Sequence, residues 1–289
     1  MHVLIAGGTG FLGRHLIKTL LSLSHKRQVT VVTRNPNQAA ETLPTNVKLL
    51  HWNQLASSAT GQNFPEIDAV INLSGETIGN RRWTGTVKGE IMNSRINAPR
   101  TLVKAINKGT LKPKVLLNAS AVGYYGPRGD EKITEEEAAG HDFLAQVCRN
   151  WENEAYQVQN SFTRVVTLRI GVVLGKEGAL ARMALPYRFY LGGPLGKGTQ
   201  WLSWIHIDDL INMMNFILEH EEVEGPVNGT APNPVTMKEC AQLIGQVLHK
   251  PAWFPVPEFL LKIALGQMSE MLLHGQRAVP AKILAAGFS

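Results

Sequence analysis

Only two of the 289 residues are cysteines, Cys148 and Cys240, and they lie far apart in the chain. That excludes a disulfide framework and a cysteine-based metal centre, and it fits a reducing compartment. Long apolar runs are missing as well. The first, at 2–6, is broken by Gly7–Gly8 before it could span a bilayer, and it lacks the basic leader and small-residue cleavage site of a signal peptide. A cytoplasmic location is therefore expected. The formal charge is +6, but Lys and Arg are scattered and form no basic stripe. Neither nucleic acid nor a membrane is expected as a partner. Internal repeats, low-complexity tracts and obvious linkers are also absent.

What is present is alternation. Short, nearly continuous apolar runs at 2–7, 28–34, 47–52, 68–75, 114–120 and 164–175 predict strands covered on both faces. Between them, Leu12, Leu16, Ile17, Leu20 and Leu21 trace one helical face, and helices are predicted at 86–107 and 142–159. Strand–helix alternation of this kind predicts an α/β fold, a Rossmann-type doubly wound parallel sheet. Beyond 175 the texture changes to a Gly-rich stretch, "LGGPLGKGTQ", and then short helical segments. Asp208 or Asp209 is the expected cap of one helix, and Thr236 with Glu239 has the spacing of a capping box on another. Residues 1–175 are read as the nucleotide-binding domain. Residues 176–289 are read as a smaller, discontinuous substrate-binding lid.

The opening "MHVLIAGGTGFLGRHLI" places Gly7, Gly10 and Gly13 between the first strand and the first helix. A tight turn without Cβ atoms lets the backbone approach a pyrophosphate, which the helix N-terminus then faces. At the end of the second strand, where a carboxylate would bind the ribose 2′-OH of NAD, this chain has Arg34 in "VVTRNP". A guanidinium suits a 2′-phosphate, so NADP(H) is the expected cofactor. Arg14 could assist.

With "NLSG" at 72–75, "SAVGYYG" at 120–126, "LRIGVVLG" and "WIHIDDL", the chain resembles the extended short-chain dehydrogenase/reductases. "GETIGNRRWT", "GGPLGKGTQ" and "LLHGQRAVPAKILAAGF" are similar to its atypical, epimerase-named YfcH-like branch, within the NAD-dependent epimerase/dehydratase superfamily. The last of these lies in a family-specific segment at about 250–289. The resemblance implies a cofactor site of Gly7, Gly10, Phe11, Leu12, Gly13, Thr33, Arg34, Leu73, Ser74, Glu90, Arg95 and Val173. Extended relatives often pair through helices like those at 86–107 and 142–159, so the resemblance makes a homodimer one expectation and leaves the oligomeric state open.

The superfamily's acid/base pair is missing. Tyr-x-x-x-Lys is expected near 143–148, yet no Tyr occurs between 126 and 155 and no Lys between 133 and 175. Phe143 has no proton to give, and Arg149 stays protonated at any working pH. Ser120 stands where the family carries its serine. Tyr124 and Tyr125 are the nearest substitute donors, or else a packed aromatic pair. His206 reads as an acid/base or as a structural residue before a helix. Arg81, Arg82 and Trp83 read as an anion contact or as a solvated loop. Two functions follow as expectations. One is an NADP(H)-dependent oxidoreductase or epimerase-like enzyme acting on an unknown small molecule. The other is a non-catalytic NADP(H)-binding redox sensor or interaction module.

Overall fold

The structure, a computed structural model, describes residues 1–23, 26–56 and 64–289. Seven strands form its main sheet: β1 (His2–Ala6), β2 (Gln28–Thr33), β3 (Lys48–His51), β4 (Ala69–Asn72), β5 (Val115–Ala121), β6 (Arg164–Ile170) and β7 (Gly225–Gly229). Their order is β7-β6-β5-β4-β1-β2-β3, and every pairing is parallel. The order reverses between β1 and β4, and ligands of such sheets bind at the carboxyl ends of the strands beside that reversal.

Alternate residues of each strand serve opposite faces. Val3 and Ile5 of β1 pack with Leu16, Ile17 and Leu20 of α1 (Phe11–Leu23) and with α4 (Ile207–Glu219). Leu4 and Ala6 pack on the other side with Leu102, Val103 and Ile106 of α2 (Gly85–Asn107). The third helix of the sheet layer, α3 (Phe143–Ala155), lies against α2 and the end of β5. Both are capped as the chemistry of helix starts requires: Thr84 accepts from Val87 N, and Asp142 from Ala145 N.

Three readings need correction. The run at 164–175 is not one strand: Gly171 N still donates to Gly229 O of β7, but Val172 N turns to Ser203 O. Residues Val172–Leu174 then pair with Trp204–His206 in a separate ribbon. The cap of α4 is neither Asp208 nor Asp209 but His206, whose ring nitrogen accepts from Asp208 N. That contact gives His206 a structural role. Finally, β7 and α4 lie beyond residue 175 yet complete the main sheet layer, so the sheet does not end where the texture of the sequence changes. The capping box at α5 (Met237–Leu248) forms as read.

Candidate functional site

The turn from β1 into α1 is closed by backbone against backbone. Gly7 has φ +81°, and a Cβ there would stand 2.7 Å from the Leu73 carbonyl carbon. A Cβ on Gly13 would stand 2.4 Å from Gly7 O. No side chain fits at either position, and Gly10 N donates to Gly7 O to hold the turn. Leu73 N in turn donates to Ala6 O, which ties the loop after β4 to the same place. The first turn of α1 has no acidic residue, so its free N–H groups meet no built-in counter-charge. Phe11 and Leu12 are half-buried behind it; the Phe11 ring lies against Gly175, two residues after Val173.

Thr33 ends β2, and Arg34 follows it, exposed and without an ion pair among the described residues. Arg14 is committed elsewhere, to Thr9 O and to Glu177, both at 2.8 Å. Arg34, at the end of β2, thus differs from Arg14 in having no ion pair among the described residues.

The hydroxyls expected at a substrate are turned inward. Ser120 is buried and donates to Glu152 Oε1 at 2.6 Å. Glu152 also accepts two hydrogen bonds from Arg169, from Nε and Nη2, both at 2.9 Å. Tyr125 is fully buried, donates to Asn228 Oδ1 at 2.7 Å and accepts from Arg169 Nη1 at 3.0 Å. Burial pushes its pKa up to about 12 against the pull of Arg169. Ser120 and Tyr125 are thus core residues with occupied hydroxyls and cannot act on a substrate in this arrangement. Tyr124 differs. It is half-buried, its ring lies 3.5 Å from the Arg169 guanidinium carbon, and its hydroxyl makes no hydrogen bond among the described residues.

On α3, Leu144 and Cys148 are the pair four apart that faces Gly123, just past β5: a Cβ on Gly123 would meet Leu144 Cβ at 3.4 Å and Cys148 Sγ at 3.9 Å. Leu144 has no proton to exchange. Burial and then Glu152 push the Cys148 thiol up to about 12. The pair of α3 side chains that faces Gly123 thus contains no Tyr and no Lys. One turn further along α3, Trp151 carries the Arg95 guanidinium over its ring at 5.0 Å. Arg95 also donates to Glu76 O at 2.9 Å and lies behind Gly75, in the loop that continues from Ser74. Burial pulls its pKa below the ordinary value. Glu90 does not join it: that carboxylate is exposed and paired with Arg81. Arg82 donates to Ile263 O, and the buried Trp83 donates to Ile78 O, so neither forms an anion contact with Arg81.

Sequence reasoning missed the Glu152–Arg169 pair. Its signal was visible: an arginine inside the apolar strand "VVTLRIG" needs a buried carboxylate. A concavity of about 1180 Å³ lined by Asp68, Lys114, Arg164 and Lys282 lies at the opposite, amino-terminal end of the strands, away from the glycine turn.

The NAD-dependent epimerase/dehydratase family matches residues 3–228, and a domain of unknown function matches residues 256–289. The epimerase family protein YfhF of Bacillus subtilis is 44% identical over 289 residues, covering 100% of this chain and 93% of that protein. A chloroplastic homologue of the epimerase family protein SDR39U1 from Arabidopsis thaliana is 39% identical, covering 100% of this chain and 82% of that protein. The crystal structure of human SDR39U1, isoform 2, with NADPH superposes with a TM-score of 0.90 at 37% identity, covering 100% of this chain and 94% of that one.

Proposed function

The chain belongs to the NAD-dependent epimerase/dehydratase family, and from that premise we propose that it binds NADP(H) and acts as an oxidoreductase on a small-molecule carbonyl. The observation that carries this reading is the glycine turn, shut against Leu73 and filled where a Cβ on Gly7 or Gly13 would stand, with Arg34 at the end of β2 unpaired among the described residues. The N–H groups at the start of α1 would hold the pyrophosphate, and Arg34 the 2′-phosphate. Leu73, Ser74 and Arg95 would flank the dinucleotide at the carboxyl end of β4. The relative crystallised with NADPH supports the phosphorylated form. When bound, such a cofactor supplies hydride chemistry. What the chain itself can add is narrow: with Ser120 and Tyr125 occupied, Tyr124 is the one hydroxyl after β5 left to donate to a carbonyl oxygen. An epimerase step would ask the same Tyr124 hydroxyl to take the proton of a sugar hydroxyl while hydride leaves its carbon, because Leu144 and Cys148 supply neither the Tyr nor the Lys of the family pair.

A second reading, NADP(H) binding without turnover, is favoured by those same two side chains. The two readings separate in one assay. NADPH oxidation is followed across a panel of carbonyls and quinones, for the native protein and for Tyr124→Phe. The oxidoreductase reading expects consumption with at least one substrate and a loss of roughly a hundredfold in Tyr124→Phe. Tight NADPH binding with no consumption by either protein overturns it in favour of the sensor.

A further inference from the structure

Burial is unevenly distributed in this molecule. Of the seventeen large apolar side chains exposed among the described residues, twelve fall in two short stretches, 185–191 and 243–263. Their exposure is high: 76% for Val247, 71% for Trp253, 69% for Ile263 and 68% for Phe189. The stretches adjoin. Trp253 Nε1 donates to Tyr190 O, Phe254 N donates to Gly192 O, and Val256 N donates to Pro194 O. The chain then enters α6 (Glu258–Leu265), where Leu261 points inward while Phe259, Leu260 and Ile263 stay exposed. A soluble monomer rarely leaves so many large apolar groups together in water unless something covers them.

The charges among these side chains identify the cover. Arg188, Lys250 and Lys262 are interleaved with the apolar residues, and Arg82 reaches Ile263 O from the neighbouring loop. Lys250 Nζ lies 3.8 Å over the Tyr190 ring. Glu258 is the one carboxylate within the two stretches, and it is paired with Lys262. A two-fold dimer would set this face against itself, cation to cation, which disfavours a second copy. Exposed Trp, Tyr and Phe with lysines among them match the interfacial zone of a bilayer: the rings enter the headgroup boundary and the ammonium groups meet lipid phosphate. We propose that this face docks peripherally on an anionic lipid surface. No helix among the described residues is long and apolar enough to cross the membrane, so the contact is attachment rather than insertion.

The test is co-sedimentation of the full chain with phosphatidylcholine vesicles, with and without phosphatidylglycerol. The native protein is expected to pellet only with phosphatidylglycerol present and to be released by high salt. Each lysine at such a surface is worth about fivefold in affinity, so Lys250→Glu with Lys262→Glu should weaken binding by roughly thirtyfold or more. Trp253→Ser with Phe259→Ser should also release the protein, and unchanged melting temperatures would show that both variants fold. The proposal is overturned by no pelleting with phosphatidylglycerol, which would leave the face to an acidic protein, or by equal pelleting with neutral vesicles. It is also overturned if sedimentation velocity shows a dimer that Trp253→Ser dissociates.

Discussion

Glu152 and Arg169 show what a single residue does in this fold. Both side chains are almost wholly buried, and burial works against the charge of Arg169, yet the Glu152 carboxylate outweighs it and holds the guanidinium above its ordinary pKa. Removing one partner leaves an uncompensated buried charge, which costs about 3–5 kcal/mol. Arg169→Met should lower stability by that amount in urea unfolding, and adding Glu152→Leu should recover a large part of it. A second prediction concerns pH. Tyr125 is raised from 10.0, and Cys148 from 9.0, both to about 12, chiefly by burial. The unfolded chain ionises these groups first, so their contribution is complete below pH 9 and disappears as pH rises towards 12. Urea midpoints should fall across that window, and the fall should be shallower in Tyr125→Phe. At this scale the place of the glycines between β1 and α1, and of Arg34 just after β2, was legible, because the order strand, turn, helix determines where their atoms must go. The directions of Ser120 and Tyr125 were not. They are set by Glu152 and Asn228, residues distant in sequence whose proximity only the folded sheet creates.

Among the elements, the C-terminal segment has the clearest structural task. Residues Arg277–Ala278 pair with Lys132–Ile133, Ser203 Oγ donates to Gln276 O, and the Asn228 amide donates to Val279 O. Glu135 binds both sides of this strap: one carboxylate oxygen accepts from Asn228 N and the other from Lys282 N. Glu135→Ala would leave the buried Asn228 N–H without an acceptor, at about 1–3 kcal/mol, and would free the half-buried Lys282 N–H as well. Hydrogen exchange should then quicken in 276–288 while β1 stays protected. The strands with unbroken apolar runs were readable one by one, since burial on both faces demands that composition. β7 was not: "GPVNG" has one large apolar residue, Val227, and it is a strand because β6 offers it an edge.

For the molecule as a whole, the parallel sheet and the place of the glycine turn could be inferred from the sequence. The exposed aromatic face could not, because a proline-spaced apolar run reads the same whether its side chains turn into a lid or out to solvent. The boundary drawn at 175 followed composition, whereas β7 and α4 follow the sheet. The central claim is that this sheet presents a guanidinium to a 2′-phosphate, and calorimetric titration of the purified chain with NADPH and with NADH tests it most directly. Charge-assisted contacts to that phosphate predict tighter binding of NADPH by roughly ten- to hundredfold, and Arg34→Asp should abolish or reverse the preference. Equal affinities, or a preference that Arg34→Asp leaves intact, would contradict it.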